Sequence, residues 1–317
     1  MEGYEMAIVQ PERIAKFLAV VRYELLWNIR KKKFLGMLIV AFALTTLSLA
    51  GGHIVSAITG NPVEPDMNFV IDSNLGLGGF GFFLFAIVTI MNTISGEFES
   101  GTIVPLLAKP VSRTTIFFGK LFAAFLTLLA TYCFLMVYMA IGGTVIYGPQ
   151  SNLHLLPLSL AGALFSTFVW ISIVLLIGTI FKSSLIAALG ALGIWFGTNI
   201  IGSILGVLSG QGWILTYIPG SGNTGFVGES PQIGFPVSTG TDSIGPNLVN
   251  YILHPSWIVT YFKINFSGST PGQIFGEELY SEPLSIVIFT SVAVALVYLI
   301  AFVGISWYLF KRAQVAE

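Results

Sequence analysis

Between Lys120 and Lys182 the chain reads LFAAFLTLLATYCFLMVYMAIGGTVIYGPQSNLHLLPLSLAGALFSTFVWISIVLLIGTIF, without one aspartate, glutamate, lysine or arginine. A helix needs about 20 apolar residues to cross the hydrocarbon of a bilayer, so this stretch is too long for one crossing. The run Tyr147-Gly148-Pro149-Gln150-Ser151-Asn152 interrupts it, and glycine, proline and short polar side chains together mark a turn. The stretch therefore predicts two membrane-spanning helices, near 117–142 and 157–181, that reverse direction at a polar turn.

The same test applied outward finds four more uncharged intervals. Lys33 to Glu64 predicts a span near 34–57, and Asp72 to Glu97 one near 75–95. Lys182-Ser183-Ser184 is a very short connection to a span near 185–208, and Pro283 to Phe310 predicts the last, near 284–310. Composition points the same way: apolar residues make up 55% of the 317 and charged ones only 9%, where a soluble domain carries about 25%. The expected fold is an all-α polytopic protein of the cell membrane with six transmembrane helices. Cys133 is the single cysteine, which leaves no internal disulfide and no cysteine-based metal site. The first thirty residues carry charges throughout, so no cleavable signal peptide is expected.

Basic residues set the expected orientation. Arg13, Lys16, Arg22, Arg30, Lys31, Lys32, Lys33, Lys109, Arg113, Lys120, Lys182, Lys311 and Arg312 all fall on one side of a six-span chain, and Lys263 alone falls on the other. By the positive-inside rule the first side is cytoplasmic. Both termini, residues 1–33 and the tail 311–317, are then cytoplasmic. Within 12–33, Ile14, Phe17, Leu18, Val21, Leu25 and Ile29 recur at helical spacing opposite Arg13, Lys16, Tyr23 and Arg30. This is the pattern of an amphipathic helix lying in the membrane interface; a soluble helix packed on the protein is the alternative.

The large segment 209–283 lies on the extracellular side in this topology. It is rich in Gly, Ser, Thr and Pro, yet holds Trp213, Tyr217, Phe226, Tyr251, Trp257 and Tyr261. So many aromatics with so few lysines predict a small compact cap that dips into the outer leaflet. Asn265-Phe266-Ser267 is an acceptor pattern for N-glycosylation on that side. No internal repeat is evident, which leaves the inverted-repeat plan of many secondary transporters without support.

The loop 95–116 between the second and third spans carries the functional information. It runs Ser95-Gly96-Glu97-Phe98-Glu99-Ser100-Gly101-Thr102-Ile103-Val104-Pro105-Leu106-Leu107-Ala108-Lys109-Pro110-Val111-Ser112-Arg113 and leads to Gly119-Lys120. Pro110 blocks helix continuation and forces a turn, and Ser112 is placed to cap the third span. A charged, partly apolar knob on the inner face suits docking to another protein, although a plain connector has the same physics. The order Gly-Glu-x-Glu-x-Gly-Thr, Leu-Leu, Pro-Val-Ser-Arg, Gly-Lys resembles the ABC-2-type membrane permeases, the transmembrane subunits of a class of ATP-binding-cassette exporters. The plan of interfacial helix, six spans and larger outer segment is similar over nearly the whole chain. The resemblance implies that this loop is a coupling helix docking on a separate ATPase, with Glu97, Glu99, Gly101, Thr102, Leu106, Leu107, Pro110, Ser112 and Arg113 in that role. It further implies a cytoplasmic ATPase in two copies, with ATP and magnesium bound there, and a second permease subunit. Pro105 departs from the family pattern and puts the register of that helix in question.

Other signals are weaker. No Gly-x-x-x-x-Gly-Lys-Ser/Thr occurs, so this chain is expected to bind no ATP by a P-loop and to be no enzyme, with no cofactor of its own. Gly193, Gly197, Gly202 and Gly206 lie at four-residue spacings in the fifth span, which lets helix backbones approach closely, within one subunit or between two. Asn92, Thr198 and Asn199 are mild polar residues within spans, read as packing hydrogen bonds or as part of a substrate path. His53, His154 and His254 are too dispersed for a metal site, and every aspartate is assigned outside the membrane. Uncharged spans favour a lipophilic or amphipathic cargo, in a setting of membrane lipid and no nucleic acid. A mechanical transmitter that moves no cargo, or an ATP-independent carrier, are the alternatives.

Overall fold

The computed structural model describes residues 2–30, 32–102, 111–202, 204, 212–227, 235–262 and 278–313. Ten α-helices are used below: α1 (Glu2–Arg30), α2 (Lys33–Thr59), α3 (Phe69–Asp72), α4 (Gly78–Ile90), α5 (Ser95–Glu99), α6 (Arg113–Tyr147), α7 (Leu156–Phe181), α8 (Ser184–Phe196), α9 (Ile244–Leu253) and α10 (Leu284–Arg312). The four strands are β1 (Thr224–Val227), β2 (Phe235–Ser238), β3 (Ile258–Phe262) and β4 (Glu278–Pro283). Among the described residues, six helical stretches are long and apolar enough to cross a membrane: Phe34–Thr59, Gly78–Glu99, Arg113–Tyr147, Leu153–Phe181, Ser184–Ile201 and Leu284–Arg312.

Local chemistry places their ends. Ser112 Oγ accepts from the Thr115 backbone N–H at 3.1 Å, so the serine caps α6 as its position predicts. Lys182 ends α7 in the left-handed region (φ 54°), and Ser183 returns to extended backbone, so α8 starts after a two-residue turn. α8 continues as a π-helical turn over Gly197–Ile201. The wider turn displaces one residue from the helical ladder and re-aims the side chains that follow it.

α7 is the centre of the bundle and α8 its margin: 67% of the first span is buried within the chain, against 11% of the second. Around α7 the core is strongly aromatic. Trp170 and Tyr132 are fully buried, Phe83 meets Trp170 edge-on at 5.4 Å, and Phe85 meets Tyr132 in the same manner at 5.7 Å. Such contacts add about 0.5–1.5 kcal/mol each beyond the area they bury.

Opposite the face that carries α1 and α5, the segment expected as a compact cap contains an antiparallel sheet of order β2-β1-β3-β4. Val227, Val237, Val259 and Tyr261 pack its inner face on Leu284, Val287 and Ile288 of α10. Between β2 and β3 the chain turns back into the mouth of the bundle through Thr241–Ser243 and α9. Gly245 there approaches Gly162 of α7 so closely that a Cβ on Gly162 would run into its backbone. Asp242, assigned to an outer loop by sequence, is consequently buried with 3% exposure. The helical bundle is what hydropathy predicts; the sheet is an addition to it.

Candidate functional site

α5 is five residues long, yet three successive side chains on it reach three different parts of the molecule. Glu97 turns toward α6 and pairs with the Lys120 ammonium. Lys120 also pairs with Glu24 of α1 at 2.5 Å, so one cation joins carboxylates from α1 and α5. Phe98 packs edge-on against Phe310 of α10 at 6.2 Å, with the Lys182 ammonium 5.4 Å from its ring. Glu99 accepts from the Ser184 backbone N–H at 3.1 Å and from the Ser184 hydroxyl, at the first turn of α8. A carboxylate is favoured there because the leading N–H groups of a helix are unpaired and carry its positive dipole end. Ser95, one turn earlier, lies against Gly178 of α7.

Gly119 explains how α1 comes near enough to contribute. A Cβ at position 119 would lie 2.8 Å from Val20 Cγ1, so glycine is what lets α1 rest on α6. That contact places Glu24 level with the next residue, Lys120, which is only 4% exposed. A buried ammonium is tolerated only when paired and hydrogen-bonded. Removing one partner of such a pair typically costs 3–5 kcal/mol, because the other charge is left uncompensated. The pairing therefore fixes where α5 sits.

Ser100, Gly101 and Thr102 close α5 and are exposed. Ser100 Oγ bonds back to the Gly96 carbonyl at 2.6 Å, and its hydroxyl shares a 2.9 Å bond with Thr102. Gly101 holds φ +69°, where other residues are strained, and faces open space. A cleft of about 1080 Å³ separates α1 from this segment, with Lys16, Tyr23, Trp27 and Asn92 among its lining residues.

The residues singled out from sequence are distributed as follows. Glu97 and Glu99, assigned to docking by resemblance, are both engaged within the chain. Gly101 and Thr102 are on the surface. Ser112 caps α6, and Arg113 Nη1 donates to the Lys311 and Ala313 carbonyls at 3.0 and 2.7 Å, which ties α6 to the end of α10. Leu106, Leu107, Pro110, Gly206 and Asn265 lie outside the described residues. Gly193 and Gly197 face open space, whereas a Cβ on Gly202 would meet Leu215 at 2.8 Å. Thr198 and Asn199 sit in the π-helical turn, where Asn199 Oδ1 accepts from the Ser221 N–H at 2.8 Å and anchors the outer segment. Asn92 is at the opposite end of the bundle from Asn199, so the two do not form one polar path.

Sequence reasoning passed over Glu24, Phe98 and Lys120. Glu24 falls three residues after Val21 on the apolar stripe of α1, and Lys120 stands two turns inside a helix whose one other charge is Arg113 at its first residue. A charge on a face meant for burial is the signal that finds both.

The family profile described as ABC-2 family transporter protein matches residues 18–315. No curated protein matches the chain. The profile takes in the second half of α1, the α5 junction and the six spanning stretches described above. Its members are membrane subunits of transporters, not themselves catalytic, that work with an ABC ATPase. The chain belongs to the ABC-2 transporter family and is a multi-pass permease subunit of an ATP-binding-cassette transporter.

Proposed function

We propose that this permease exports a lipophilic or amphipathic substrate, driven by two copies of a cytoplasmic ATPase that bind ATP and magnesium. The loop-bearing face is the cytoplasmic one, in keeping with its basic residues. The observation that carries the reading is the reach of α5: Glu97 to α6 and α1, Phe98 to α10, Glu99 to α8. A push on the exposed Ser100-Gly101-Thr102 turn is thereby delivered to four helices at once. In this reading the two carboxylates hold the lever to the permease, and the turn and the residues after it meet the ATPase. The absence of charge over most of the spans supports an apolar cargo, since stripping water from an ion without compensating charge is prohibitively costly.

A second permease subunit completes the path. Gly193 and Gly197 lie on the least covered span, and among the described residues nothing comes within 4 Å of where a Cβ would stand on either, which suits close approach of a second α8. Cysteines placed near Gly197 should crosslink two chains; crosslinks confined to one chain would remove this arrangement.

The docking part of the proposal is tested with Gly101→Val, which strains the left-handed turn and adds bulk to its open side. The expected result is loss of the ATPase on co-purification, at low and high salt, with the permease still inserted and folded. Unchanged association and unchanged ATP-dependent transport would make the loop a connector only.

A further inference from the structure

One side of α1 is seated on α6. Val20 rests on Gly119, Phe17 meets Phe122 at 5.7 Å, and Val21 and Glu24 are buried, the glutamate on Lys120. The apolar stripe expected from sequence is therefore divided. Phe17 and Val21 go to the protein, whereas Ile14, Leu18 and Ile29 are each more than half exposed.

Arg22 stands in the middle of that exposed side. Residues three and four apart share a helix face, and around Arg22 these are Leu18, Ala19, Leu25 and Leu26, with Ile29 one turn beyond. All of them are apolar. A single guanidinium is thus set in an open apolar surface, close to where the chain enters its first span. α1 ends at Arg30, and α2 begins at Lys33.

We propose that Arg22 and this apolar surround form a binding site for an anionic phospholipid. The aliphatic side chains enter the acyl boundary, and the Arg22 stem lies along them while its guanidinium reaches the headgroup phosphate. A planar guanidinium suits that phosphate because it can donate two parallel hydrogen bonds to it. Charge then selects an anionic headgroup over a zwitterionic one. Between residues 13 and 30 the exposed charges are Arg13, Arg22 and Arg30, and the one acid, Glu24, is turned inward to Lys120. The lipid seats the same helix whose other face holds Lys120 and, through it, α5.

Hydrogen exchange read by mass spectrometry over residues 13–30 of the full-length permease tests this. The protein is reconstituted in vesicles of phosphatidylcholine alone, or of phosphatidylcholine and phosphatidylglycerol in equal parts. One arginine at an anionic membrane surface contributes about fivefold in association. Phosphatidylglycerol should therefore slow exchange over 13–30 by at least about fivefold in the wild-type protein. In Arg22→Gln that slowing should shrink by about fivefold, with exchange over α7, residues 156–181, unchanged as a sign that the bundle is intact. Inorganic phosphate added to the phosphatidylcholine vesicles should not reproduce it. Equal exchange of the wild-type protein in the two lipids, a slowing that inorganic phosphate reproduces, or one that Arg22→Gln leaves at full size would overturn the proposal.

Discussion

An acidic side chain is anchored at each end of this bundle, Glu97 half-buried and Asp242 buried, and the two are held by different means. Glu97 meets an ammonium, shared with Glu24, in a contact that joins three helices. Asp242, almost fully buried, accepts from an indole N–H and a threonine hydroxyl. Charge paired with charge gives a fixed joint at the loop-bearing face, where the proposed function has the ATPase deliver its force. At the far mouth, burial pushes the Asp242 carboxyl up to about 7, against the smaller opposing effect of the Trp170 and Thr241 hydrogen bonds. Carboxylates thus anchor the α5 junction at one end and a re-entrant turn at the other.

The most damaging way to break the contrast is Lys120→Met. It removes the buried ammonium that Glu24 and Glu97 share, and stability should fall by about 3–5 kcal/mol, read as a lower denaturation midpoint of the purified permease. A mild effect would mean that the pairing at this end is no more than a surface contact.

An identical chemical change at the two ends sharpens the comparison. Glu97→Gln removes half the countercharge of a buried ammonium and should lower the melting temperature at pH 8. Asp242→Asn removes a carboxyl that burial pushes up to about 7. It should raise the melting temperature at pH 8 and leave it near wild type at pH 5, where Asp242 already carries its proton. Shifts of the same sign at pH 8 would erase the distinction.

The smallest effect is expected at Glu99. Its carboxylate is exposed, and solvent screens the contact with the start of α8. Glu99→Ala should leave the melting temperature nearly unchanged while increasing exchange at Ser184 and the residues just after it.

Much of the bundle is legible in the sequence, because an uncharged run of spanning length has few other uses. The joints are less so. Glu24, Phe98 and Lys120 lie far apart in sequence, and only the approach of α1 to α6 at Gly119 brings Glu24 onto the lysine. The sheet escaped notice because its strands are four to six residues long in a Gly- and Ser-rich segment, too short for alternation to stand out. Asp242 reads as an ordinary loop aspartate until the chain is seen to fold back into the bundle. Gly193 and Gly197 illustrate the opposite case. Their spacing announces a helix contact, and the structure leaves that face uncovered within the chain.

The central claim is that Glu97 ties the lever to the permease and does not serve as the docking contact itself. Glu97→Ala separates these roles, since Lys120 keeps Glu24 and α1 stays on α6 while α5 is released. The measurement is made on the complex reconstituted in vesicles, with the amount of bound ATPase and the rate of ATP-dependent transport read on the same preparation. The account predicts wild-type ATPase content with transport reduced at least about tenfold, equivalent to about 1.4 kcal/mol of lost coupling. Transport at the wild-type rate, or a loss of transport that merely follows a loss of bound ATPase, would contradict it.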